Sequence, residues 1–113
     1  MCCRNIRNKE YFDCCFITDV GKIRTNNEDN FFICGTYKRT PEELRYRKKD
    51  FVYRGGIFAV CDGMGGEEFG EKASLISVEE LNNFKEKDFN EYHKKYIDMV
   101  NSRICDLRFE NNG

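Results

Sequence analysis

The 113-residue sequence has one proline, one histidine, no excess of charge of either sign and no long apolar run. Each shortage excludes something. With 19 Lys and Arg against 20 Asp and Glu, no overall field draws the chain to nucleic acid or to an anionic membrane, so a partner has to be recognised locally. No apolar stretch approaches the roughly 18 residues of a membrane span. The opening Met1-Cys2-Cys3-Arg4-Asn5 lacks the hydrophobic core of a signal peptide. The expected location is cytoplasmic, with neither membrane nor nucleic acid among the partners. A single Pro beside 10 Phe and 6 Tyr argues against disorder. The length allows one domain at most, which buries roughly 65% of the surface its unfolded chain exposes.

Seven cysteines are present. Their number is odd, no export signal precedes them, and Cys15, Cys34 and Cys61 sit in apolar runs, so buried reduced thiols are expected in place of a disulfide framework. Those runs read as three strands. Asp13–Thr18 and Asn30–Gly35 are short and apolar, and Gly56–Cys61 is opened by a glycine pair and closed by Asp62-Gly63-Met64-Gly65-Gly66. All three are expected to be covered on both faces. Phe31, Phe32 and Phe58 are then core side chains.

Between the second and third strands, Thr36–Gly55 carries 7 basic and 3 acidic residues. Its Thr40-Pro41-Glu42-Glu43 has the form of a capping box with Pro at the first helical position, which predicts a short surface helix. Arg45, Arg47, Lys48 and Lys49 would form a solvated face of that helix, or a docking patch for an acidic partner. Apolar residues from Ala73 to Phe84 predict a helix from Gly70 to about Lys87. A second, amphipathic helix is expected from about Asn90, with His93 on its surface and Glu110–Gly113 as a turn leading onward. Residues 1–12 form an N-terminal segment, with Cys2-Cys3 on a loose terminus, and 13–113 belong to the fold.

Two polar clusters lie at strand ends. Arg24-Thr25-Asn26-Asn27-Glu28-Asp29 directly precedes the second strand, and Asp62-Gly63-Met64-Gly65-Gly66-Glu67-Glu68 directly follows the third. If these strands run antiparallel in one sheet, both clusters fall at the same end and Glu28, Asp29 and Asp62 converge. Like charges about 4 Å apart repel by on the order of 4 kcal/mol at an effective dielectric near 20, and a divalent cation reverses that sign. An all-oxygen donor set favours Mg²⁺ or Mn²⁺ over Zn²⁺. Gly63, lacking a Cβ, lets a backbone carbonyl approach such an ion. Nucleotide-binding patterns fail here. Glu68 stands where the third glycine of G-x-G-x-x-G belongs, and Glu71-Lys72 replace the Lys-Ser/Thr of a P-loop. For either cluster alone, a tight turn or a solvated acidic pair is the competing explanation.

The ordered motifs Thr18–Asn30, Phe58–Gly66 and Gly70-Glu71-Lys72-Ala73-Ser74 closely resemble the metal-dependent protein phosphatases (PPM) of the protein phosphatase 2C type, particularly bacterial members. The resemblance covers Thr18 to about Leu81. It implies an α+β fold, a four-layer α-β-β-α sandwich of antiparallel sheets. It also implies that Asp62 bridges two Mg²⁺ or Mn²⁺ ions, that the Gly63 carbonyl ligates one, that Glu28 and Asp29 ligate or hold water at the edge of the site, and that Arg24 grips the substrate phosphate. The implied reaction is hydrolysis of phosphoserine or phosphothreonine in a protein substrate, the product of a Ser/Thr kinase, by a metal-activated water. Many eukaryotic relatives have histidine where this chain has Met64, so a histidine general acid is not expected.

The family domain is roughly twice this length, and its later half brings further aspartates to the metals. The expectation is therefore the N-terminal, truncated part of a phosphatase domain over 13–113, inactive alone and poorly stable because open strand edges remain. The alternative is a non-catalytic phosphatase-like remnant that binds phosphorylated partners or regulates another protein.

Overall fold

In the computed structural model, residues 12–53, 56–63, 69–84 and 86–112 are described. Their order is β1 (Phe12–Asp19), β2 (Asn30–Ile33), β3 (Arg45–Tyr53), β4 (Phe58–Cys61), α1 (Gly70–Leu81) and α2 (Glu86–Asn112). The three expected strands form, and a fourth replaces the helix foreseen between Thr36 and Gly55. The Thr40–Glu43 signal makes one turn, with the Glu43 amide donating to the Thr40 carbonyl at 3.4 Å. Beyond it, exposed Arg45 and Arg47 flank a half-buried Tyr46. That period of two suits a strand, and β1 offers the ladder that a lone surface helix would lack.

β3 pairs antiparallel with β1, from Asp19 opposite Arg45 to Phe12 opposite Tyr53, with a register shift between Cys14 and Phe16. β2 pairs antiparallel with β4, from Asn30 opposite Cys61 to Ile33 opposite Phe58. Each sheet has two strands. Phe16 of β1 and Tyr46 of β3 meet Phe31 of β2, at ring-centroid separations of 4.3 and 5.1 Å, and so join the sheets face to face. On the opposite face of β2, Phe32 packs with Tyr37 and with Val78 and Leu81 of α1. Burying each of these large apolar side chains contributes roughly 1.5–3 kcal/mol. The layers thus run sheet, sheet, helices, an α+β arrangement.

Coverage on both faces holds for β2, whose four residues are all buried. It fails for β1 and β4: Ile17 is 68% and Val60 83% exposed. Among the described residues, no layer covers the outer face of β1 or one side of β4. The cysteines correct the expectation in the same way. Cys14, Cys15, Cys34, Cys61 and Cys105 are thiols, but Cys15 is exposed and its neighbour Cys14 takes the buried position. Cys2-Cys3 lie outside the described residues.

α1 ends at Leu81, earlier than the apolar pattern suggested, because Asn82 and Asn83 follow and short amide side chains compete for the backbone. Phe84 then turns edge-on to Tyr96 of α2 at 6.0 Å. Arg103 of α2 forks to Glu79 at 2.9 Å and to the buried Glu80 at 2.8 Å, clamping the helices together. The Tyr96 hydroxyl donates to the Ser77 carbonyl at 3.0 Å. α2 begins four residues before Asn90 and continues through Asn112, so the expected turn at Glu110–Gly113 is helical as far as it is described. His93 is exposed on it, as foreseen. No described helix is long and apolar enough to cross a membrane.

Candidate metal centre

The β2–β4 register brings the two polar clusters together. Asn30 lies opposite Cys61, so one step further Asp29 and Asp62 leave the same end of the sheet, and a second step carries the chain to Glu28 and Gly63. The expected antiparallel pairing in one sheet is therefore present. α1 starts at this end too, with Phe69 at its N-cap in the left-handed region (φ 78°), which turns the chain so that Gly70 abuts Gly63.

Three backbones meet here with no room for a side chain. A Cβ on Gly63 would run into the Gly70 carbonyl and the Glu28 carbonyl. A Cβ on Gly70 would stand 2.8 Å from the Gly63 carbonyl oxygen and 3.1 Å from Oε2 of Glu28. Both oxygens, a carboxylate and a backbone carbonyl, thus approach Gly70 where a methyl group would otherwise stand. Glu28 Oε2 is buried and accepts no hydrogen bond. Leaving a buried acceptor unsatisfied costs about 1–3 kcal/mol, and a cation is one partner that would satisfy this oxygen.

Asp62 is exposed beside Gly63, and both line a cavity of about 380 Å³ between the start of α1 and the Ile104–Arg108 stretch of α2. Asp29 is exposed and its amide donates to Asn27 Oδ1 at 3.2 Å. Arg24 is exposed on the connection between β1 and β2. The expected convergence is only partial. Among the described residues, no three His, Cys, Asp or Glu side chains gather closely enough to hold an ion by themselves. Asp29 is exposed where its neighbour Glu28 is half-buried. Met64 to Glu68 lie outside the described residues.

Sequence reasoning missed what fastens this end of the sheet. Asn27, Asn30 and Lys38 are all buried. Asn27 donates to Thr18 Oγ1 and to the Leu44 carbonyl, both at 3.0 Å. Asn30 closes on the Lys38 backbone in both directions, Nδ2 donating to its carbonyl at 3.1 Å and Oδ1 accepting from its amide at 3.0 Å. Asn26 reaches Glu71 in the first turn of α1 at 3.2 Å. Polar Asn30 heading an apolar run was a visible signal; nothing in the sequence separates Lys38 from its basic neighbours. Burial pushes the Lys38 ammonium down from the ordinary lysine range, with Glu43 and Asp29 opposing.

No protein-family model, curated protein or solved structure matches this chain.

Proposed function

We propose that this chain carries part of the active site of a Mg²⁺- or Mn²⁺-dependent protein serine/threonine phosphatase of the PPM type, acting in the cytoplasm on a phosphorylated protein. The observation that carries the proposal is the buried, unpartnered Glu28 Oε2 close to Gly70, which the Gly63 carbonyl also approaches, at the sheet end where Asp62 also emerges. The order of motifs in the sequence supports it independently. The stacking of sheet, sheet and helices agrees with three layers of a four-layer α-β-β-α sandwich.

The donor set fits the ion. Carboxylate and carbonyl oxygens suit Mg²⁺ and Mn²⁺, and no thiol or imidazole is needed. Glu28, the Gly63 carbonyl and Asp62 would hold one ion, with Asp62 shared toward a second and Asp29 at the margin. Such ions, when bound, lower the pKa of water toward neutrality and offset charge on phosphoryl oxygens. This chain's own residues supply the rest. The Arg24 guanidinium, exposed on a loop, can fork onto two phosphate oxygens and orient the ester. Burial of Glu28 keeps one carboxylate oxygen from water, and the contact between Gly63 and Gly70 fixes the carbonyl it works with.

A remnant that binds phosphoproteins without hydrolysing them is the second reading, favoured by the lack of a third acidic group at the site among the described residues. One experiment separates the two. Mn²⁺-dependent hydrolysis of p-nitrophenyl phosphate, lost in Asp62→Asn, supports the phosphatase. Mn²⁺ binding without hydrolysis by this chain, or by any longer protein containing it, supports the remnant.

A further inference from the structure

Lys38 is 2% exposed, a rare place for an ammonium unless its protons are used. Two of them are. Nζ donates to the Asn27 carbonyl at 3.0 Å and to the Glu43 carbonyl at 3.1 Å. Both acceptors are neutral, so the interaction is a charge-assisted hydrogen bond to backbone and not an ion pair. The carboxylates acting on it electrostatically are Glu43 and Asp29. Asn27 immediately precedes Glu28, and the Asn27 side chain receives the Asp29 amide. The Lys38 backbone is in turn locked to Asn30 through both its amide and its carbonyl.

Glu28 and Asp29 are thus bracketed. Asn27 before them is held by the Lys38 side chain, and Asn30 after them is held by the Lys38 backbone. We infer that Lys38 is a positioning residue, a buried cation that fixes the two-carboxylate segment Glu28-Asp29 at the end of β2. It has a further effect on that segment: its positive charge attracts the Asp29 carboxylate and so offsets part of the local negative charge before any external cation arrives. The bracketing is a property of the fold and stands whether or not the site hydrolyses phosphate. Only its effect on metal affinity rests on the phosphatase reading.

Lys38→Met keeps the length and apolar stem but removes the donors and the charge. In the full chain, the Asp29 amide should then exchange with solvent at least about tenfold faster, while the amides paired between β2 and β4 keep their rates. Mn²⁺ affinity should fall about tenfold, the usual loss when a group supporting a ligand is removed. A folded Lys38→Met protein with unchanged Asp29 exchange overturns the inference. Should that variant fail to fold, the unmodified protein decides: couplings across the hydrogen bonds from ¹⁵Nζ of Lys38 to the carbonyl carbons of Asn27 and Glu43 support it, and their absence overturns it. If the unmodified protein binds no Mn²⁺, the metal centre fails, while the exchange and coupling results still decide the role of Lys38.

Discussion

Glu28 is the residue on which the proposed metal site depends most, because its buried Oε2 has no hydrogen-bond partner. Replacing it with Gln exchanges the carboxylate for an amide of nearly the same shape. Glu28→Gln should raise the metal-free melting temperature slightly, by the equivalent of about 1 kcal/mol, while weakening Mn²⁺ binding. Thermal denaturation with and without Mn²⁺ reads both effects, and a loss of metal-free stability would show that Oε2 has a partner after all. Gly63→Ala tests the other side of the centre. Its Cβ would meet two backbone carbonyls that cannot rotate away, so destabilisation of about 1–3 kcal/mol is expected from overpacking, measured by urea unfolding. At this scale the sequence was informative. Glu28, Asp29, Asp62 and Gly63 could be singled out from spacing at strand ends and Arg24 from the family resemblance, and the Glu28 backbone lies against Gly63. What spacing could not disclose is that Asp29 lies on the exposed side, or that Lys38, in a basic run, is buried.

Among the elements, the strands and helices were legible where one periodicity dominated, as in Phe58–Cys61 and Gly70–Leu81. They were misread where a local signal competed with tertiary pairing. The capping sequence at Thr40–Glu43 is a genuine turn signal, but β1 needed a partner, and the alternation around Tyr46 provided one. The helix pair offers the sharpest electrostatic prediction. Partial burial pushes the Tyr96 hydroxyl up to about 12, with Cys61 and Glu80 adding to the effect. A raised folded-state value favours the neutral phenol, so this contribution is whole below pH 10, the ordinary tyrosine value, and is lost between pH 10 and 12. Since Tyr96 is half-exposed, screening reduces the loss to about 1–2 kcal/mol. Urea midpoints of the unmodified protein should therefore fall more steeply over that interval than those of Tyr96→Phe; parallel curves would contradict the assignment. Arg103→Met, which strips the buried Glu80 of its cation, should cost about 2 kcal/mol at neutral pH in the same assay.

Across the whole molecule, the two sheets enclose a groove of about 560 Å³ lined by Phe16, Phe31, Phe58 and Val60 among others. Its apolar walls, with Ile17 and Val60 exposed beside strand edges that no described strand pairs, make concentration-dependent association the expected behaviour in solution. Val60→Lys should shift the sedimentation distribution toward monomer without changing the far-ultraviolet circular dichroism. A monomeric unmodified protein at high concentration would contradict that expectation. The α+β class was readable because buried apolar runs and amphipathic stretches occur side by side. The uncovered faces were not, since a sequence shows that a strand is apolar but not whether a further layer reaches it.

The proposed divalent-cation site consists of Glu28, the Gly63 carbonyl and Asp62. Titration with Mn²⁺, following the free ion by electron paramagnetic resonance, tests it most directly. Saturable binding to the unmodified chain, weakened at least about tenfold in both Glu28→Gln and Asp62→Asn, is the predicted result. No saturable binding, or binding that both substitutions leave unchanged, would contradict it.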